Sequence, residues 1–268
     1  MIGTFFQYTP YIGSEYDMGI VGKLLGGTIG FALGGPLGAI AGAVFGHAFD
    51  SSTRDLQEDQ IPHFSGLEAS QLAFFVGAFS MLAKLTQSDG RVSPEEMDTI
   101  EAFAVRDLRL SPEAKSVALN IFRTALESPA SFNDFALQFY NHFQGQPHLI
   151  EMMVDILLRV SVADGALNAT EESLILGAVR IFRMSEQRYQ QIRAAYAGTG
   201  DAPYQVLGCR PDDNDDIIKQ RYRKLVQEYH PDKIASKGLP DEFIQLAHEK
   251  FREIQNAYET IKKERTIK

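Results

Sequence analysis

Residues 218–233 read Ile218-Lys-Gln-Arg-Tyr222-Arg-Lys-Leu225-Val-Gln-Glu-Tyr229-His230-Pro231-Asp232-Lys233. At about 100° per residue, Ile218, Leu225 and Tyr229 share one helical face, with Tyr222 at its edge. Lys219 and Arg223 stack on the opposite side, next to Val226, and Arg221 and Lys224 make residues 217–227 wholly cationic among charged types. Pro231 ends this helix, because a proline disfavours helical geometry in the residue before it. The spacing predicts a helix over about 213–229, and Asp212, Asp213, Asp215 and Asp216 suit the positive end of its dipole. A second helix over about 240–264 carries the stripe Phe243, Ala247, Phe251, Ile254, Ala257, Tyr258 and Ile261, so the two form a small antiparallel hairpin with a shared core. From the wheel alone Tyr222 is equally a core residue or a contact residue.

The chain of 268 residues carries a net charge of −9, all of it in residues 1–200, since residues 201–268 are neutral overall. That balance excludes electrostatic binding of nucleic acid by the molecule as a whole. The single cysteine, Cys209, excludes an internal disulfide and a cysteine-built zinc site. No P-loop, G-x-S-x-G elbow, H-E-x-x-H helix or dinucleotide fingerprint occurs, so no enzyme is expected.

At the other end, Leu24–Gly46 is uncharged, and glycine recurs every fourth residue at Gly22, Gly26, Gly30, Gly34, Gly38, Gly42 and Gly46. A helix of that length reaches about 35 Å, enough for a bilayer core of about 30 Å. The small-residue ridge is the kind that lets two membrane helices approach, which predicts a transmembrane helix and a homodimer formed through it. No Lys or Arg precedes Lys23, so the basic region of a secretory signal is missing. A bend at Gly34-Gly35-Pro36 into a helical hairpin, or a soluble glycine-rich segment, are the alternatives.

Between these ends, residues 64–197 have helical periodicity throughout and predict about seven helices with short loops. Leu82–Ile100 repeats as Leu157–Ile175, so that Asp89/Glu96 recurs as Asp164/Glu171, and Leu110-Ser111 matches Met184-Ser185. These four acids are candidate oxygen ligands for a divalent cation. Capping explains them too: Ser93-Pro94-Glu95-Glu96 and Asn168-Ala-Thr-Glu171 are capping boxes, with Gly90 and Gly165 suited to a left-handed close of the preceding helix. No other cofactor is expected.

The repeated D-G-x5-E in an all-helical setting resembles the TerB-like domain of tellurite resistance. Y-x-V-L-G at 204–208, the stretch quoted first, and F-R-E-I-Q-x-A-Y-E at 251–259 resemble a J domain. The order of parts, with Gly46-His-Ala-Phe-Asp50 closing the glycine run, resembles the DjlA family of membrane-anchored co-chaperones. This implies an all-α chain with an anchor over 1–50, a juxtamembrane linker over 51–63, a TerB-like domain over 64–197, a linker over 198–202 and a J domain over 203–268. It implies that His230, Pro231 and Asp232, with Lys219, Tyr222, Arg223 and Lys224, engage a DnaK-type chaperone. It further implies an inner-membrane protein with its bulk in the cytoplasm and its first residues in the periplasm. The short linker before the J domain departs from relatives with a long glycine-rich one and puts free swinging of that domain in doubt.

Overall fold

The computed structural model describes residues 33–52, 65–163, 165, 167–196 and 202–266, and among them there are helices and no strand. Helix α1 spans Gly35–Ser52. Seven helices then build the middle of the chain: α2 (Gly66–Thr86), α3 (Pro94–Ala102), α4 (Pro112–Glu127), α5 (Phe132–Phe143), α6 (Pro147–Ser161), α7 (Ala169–Ile181) and α8 (Glu186–Ala194). The C-terminal part holds α9 (Ala202–Leu207), α10 (Asp215–Glu228), α11 (Pro231–Ala235) and α12 (Ile244–Arg265).

Helix α2 is the axis of the middle domain. Its residues from Gln71 to Ala83 are all buried, and α4, α5 and α6 pack around it. By length and hydropathy it passes for a membrane span, but its apolar surface is already covered by protein. Phe139 of α5 lies so close to Gly77 that an added Cβ would sit 2.8 Å from its ring, so glycine is what allows this approach.

The internal repeat is structural as well as sequential. Ser93 and Asn168 each cap a helix whose third residue, Glu96 or Glu171, bonds back to the cap. Gly90 and Gly165 have φ of +140° and +148°, which glycine adopts readily, although not in the left-handed helical region that the sequence predicted. Arg109 and Arg183, at matched positions, both have φ above +50°, and Ser111 and Ser185 after them both cap the next helix.

Among the described residues, the glycine run is helical only from Gly35 onward. Gly34 and Gly35 have φ of +53° and +54°, so α1 starts at the bend that Gly34-Gly35-Pro36 offered. Its apolar part, Gly35–Phe45, is about 16 Å long and too short to cross a bilayer alone. Leu37, Ile40, Ala41 and Phe45 are buried where α1 meets α2, α4 and α5. Gln138 of α5 clamps the start of α1: its Oε1 accepts from the Leu37 N–H at 2.8 Å, and its Nε2 donates to the carbonyls of Leu33 and Gly34. Of the ridge, Gly34 is exposed and Gly38 and Gly42 are half-buried, Gly46 lies within α1, and Gly22, Gly26 and Gly30 lie outside the described residues.

Candidate functional site

Helix α10 begins where Asn214 caps it, with Oδ1 accepting from the Ile217 N–H at 2.9 Å. It begins two residues later than the Asp pattern predicted, because Asp213 instead accepts from the Arg210 N–H at 2.8 Å and closes the preceding turn. Ile218 and Leu225 are buried against the hairpin. The chain leaves the helix at Tyr229, and His230 is extended with φ −61° and ψ 123°, as a residue before proline should be. Pro231 then opens α11, a short helix that the sequence reading missed, in the first-turn position where its absent N–H costs nothing. Helix α12 also starts later than expected, at Ile244, after a tight turn over Asp241–Phe243.

This geometry fixes the backbone of Asp232 and leaves its side chain free. The Asp232 side chain is 93% exposed and that of His230 51%, with 3.8 Å between His230 Nδ1 and Asp232 Oδ2. The His230 ring sits edge-on to Phe251 at 5.7 Å, which sets its direction. Arg223 and Lys224 are exposed, and Lys219 is half-buried. Lys224 pairs loosely with Glu228 at 3.8 Å. Tyr222 stacks on Tyr258 of α12 with ring centroids 4.0 Å apart and planes 5° from parallel, so it packs the hairpin while keeping one side open. Of the sequence-selected residues, Arg223, Lys224, His230 and Asp232 are exposed, Lys219 and Tyr222 are half-buried, and Pro231 is buried.

The opposite side of the same hairpin is docked on the middle domain, which no sequence motif announced. Phe243, expected in the core between α10 and α12, instead enters the aromatic cluster of α2, with centroids 5.1 Å from Phe74, 5.9 Å from Phe75 and 6.4 Å from Phe79. Gln71 donates to the Leu239 carbonyl, and Gly238 (φ +105°) lies against Ser70 so tightly that a Cβ would be 2.7 Å from it. Three charged residues of α6, one turn apart, complete the contact. Glu151 accepts both arms of Arg188 at 2.8 and 2.7 Å and the hydroxyl of Tyr229. Asp155 faces Lys250 at 3.4 Å, and Arg159 bridges Glu249 at 3.0 Å and Asp107 at 2.8 Å.

Electrostatics follow from this burial. Desolvation works against the charge on Glu151, yet the Arg188 guanidinium and the Tyr229 hydroxyl hold its carboxyl below the usual range. Burial likewise opposes the ammonium of Lys250, and the carboxylates of Asp155 and Glu253 more than compensate, raising it. The Cys209 thiol is pushed up to about 11 by burial, then by Asp213, so it is a packed sulfur and not a nucleophile at neutral pH.

The two glutamates of the acidic repeat are accounted for locally. Glu96 Oε2 accepts from the Ser93 N–H at 2.7 Å and Glu171 Oε2 from the Asn168 N–H at 3.3 Å, so both carboxylates complete helix caps. Asp89 lies in the turn after α2, and Asp164 is outside the described residues. Among the described residues, no three His, Cys, Asp or Glu side chains are grouped as cation ligands.

Comparison with known proteins places these parts. Residues 18–67 match the family model for the co-chaperone DjlA transmembrane domain, 75–194 that for the tellurite resistance protein TerB, and 202–268 the DnaJ domain. The co-chaperone protein DjlA of Photobacterium profundum is 31% identical, with 92% of this chain and 99% of the relative covered. That of Vibrio parahaemolyticus is 33% identical, over 94% and 100%, and that of Escherichia coli K12 is 29% identical, over 83% and 89%. No solved structure matches.

Proposed function

Because the chain belongs to the DjlA family of membrane-anchored J-domain co-chaperones, we propose that its J domain docks on a DnaK-type chaperone and stimulates ATP hydrolysis there, a regulatory role. The observation that carries this reading is the Asp232 carboxylate, almost fully exposed on a proline-fixed turn at the end of a cationic helix. Lys219, Arg223 and Lys224 steer onto an acidic patch of the partner and quicken docking, and the open side of Tyr222 adds an apolar contact. His230 and Pro231 hold Asp232 in position to pair with a cation of the partner. Binding of this kind favours the hydrolysis-competent state of the chaperone, which is coupling between proteins and no chemistry on this chain.

Since the ATP-dependent partner works in the cytoplasm, residues 51–268 face that side and the first residues the periplasm. The glycine ridge upstream of the bend pairs two copies in the membrane. Both repeat glutamates are committed to caps, so the divalent-cation reading is not carried further.

The decisive experiment is a single-turnover ATPase assay of a DnaK-type chaperone with Asp232→Asn. The variant should melt like the parent and leave hydrolysis at the unstimulated rate. Stimulation equal to the parent's would refute the proposal.

A further inference from the structure

The chain is acidic overall, yet the seam between its two domains is not. One cavity of about 240 Å³ lies between α10 and the start of α6, lined by Arg221, Lys224 and Glu228 from the J domain and by Pro147, His148, Glu151 and Arg188 from the middle domain. A second, of about 340 Å³, shares Pro147, Glu151 and Arg188 and runs on to Tyr140 and Arg183. Together they form one groove that crosses from the chaperone-facing helix onto the middle domain.

Its charge is one-sided. Glu151 is already held by Arg188 and Tyr229, and Glu228 is beside Lys224. Arg221 and Arg183 are exposed at opposite ends, and neither has an ion-pair partner among the described residues. Arg183 lies over the Tyr140 ring, 5.7 Å from its centroid, which holds the guanidinium in place without neutralising it. In the floor, His148 is 6% exposed and its Nε2 has no hydrogen-bond partner. Lys224, one of the residues assigned to the chaperone, lines the first cavity, so the groove begins on the helix that carries it.

We propose that this groove is a second docking surface for the same DnaK-type chaperone: an acidic segment of the partner lies along Arg221 and reaches Arg183, so the middle domain takes part in recognition. The proposal rests on the co-chaperone reading and extends its footprint from one domain to two. A partner engaged at Lys224 lies at the mouth of the seam, because Lys224 lines the first cavity. The cations act over a Debye length of about 10 Å at moderate salt, so their contribution is to affinity and encounter, not to the coupling that follows.

The test is a titration of chaperone ATPase stimulation by full-length variants in nanodiscs. Arg183→Glu should raise the concentration for half-maximal stimulation about fivefold at low salt with the same maximum, and the difference should shrink below about twofold at 0.5 M salt. Arg183→Asn, which removes the charge and suits the positive φ, should give about a twofold rise and guards against misfolding. Arg123→Glu on α4, an exposed arginine lining neither cavity, makes the same change in net charge and should leave the curve unmoved. If both Arg183 variants match Arg123→Glu, the groove is not a docking surface. Parent-like stimulation by Asp232→Asn in the same assay would instead overturn the co-chaperone reading itself, and the partner assigned to the groove with it.

Discussion

The two sides of the J-domain hairpin use the same kinds of residue for opposite ends. On the inner side, Tyr229, Phe243 and Lys250 are buried against the middle domain, and the side chains of Lys250 and Asp155 are only 13% and 8% exposed. On the outer side, Asp232 and Arg223 stand in water. A buried charge is costly once its partner is removed, whereas an exposed one adds little to stability and is free to meet another molecule. The lesson is that desolvation decides whether a charged side chain builds the molecule or recognises a partner.

The sharpest way to break this contrast is to empty the aromatic socket. Phe243→Ala should cost about 3–5 kcal/mol, as large-to-small changes at fully buried aromatics do. Urea unfolding would measure the loss, and hydrogen exchange should rise in both α2 and α12, since both line the same socket. Next comes Asp155→Ala, which leaves Lys250 buried with only Glu253 beside it and should cost about 3 kcal/mol. The double variant Asp155→Leu/Lys250→Met should return to within about 1 kcal/mol of the parent, because removing both charges removes the desolvation debt. A double variant as unstable as the single would show that the pair is not what ties the domains together there.

A smaller effect is expected from acid. Burial, then Lys237, pulls His148 down from 6.5 to about 4, with Glu151 acting the other way and Lys233 adding to the fall. The unfolded chain therefore binds a proton between those values that the folded chain refuses, so stability is complete above about pH 6.5 and declines toward pH 4. His148→Gln should flatten that limb by about 2 kcal/mol, or about 4–8 °C in Tm at pH 5 relative to pH 7. The depressed carboxyl of Glu151 contributes stability above the ordinary glutamate value and loses it as pH falls below that value, so its limb follows on from that of His148 and is coupled to it.

How much of this was readable depends on the range of the interaction. The number of middle-domain helices, their caps and the repeat came through because they are local: Ser93 with Glu96 and Asn168 with Glu171 meet within one turn. Asp232 and its cationic helix were legible because the proline stop and the 3.6-residue period set them without help from distant chain. The docking of one domain on the other was not, since Phe243 fits a hairpin stripe as well as it fits the socket of α2. A signal for it did exist: Glu151, Asp155 and Arg159 recur every fourth residue along an otherwise apolar helix, and all three meet the C-terminal domain or its support. A charged stripe on a helix buried elsewhere asks for a charged partner. The bend in the glycine run was offered by Gly34-Gly35-Pro36, but what secures it is Gln138, about a hundred residues away, and no pattern near the glycines points there.

The smallest structural effect belongs to the outer side and is the most telling for that reason. Arg223→Ala removes an exposed guanidinium with no ion pair among the described residues, so unfolding should shift by no more than about 0.5 kcal/mol. Chaperone stimulation should nonetheless require several-fold more of the variant at low salt, and that gap should close as salt rises. A residue that is silent in stability and audible in binding behaves as a recognition charge. Equal loss in both would mean that Arg223 supports the hairpin, and the division between an inner face that holds and an outer face that recognises would have to be redrawn along α10.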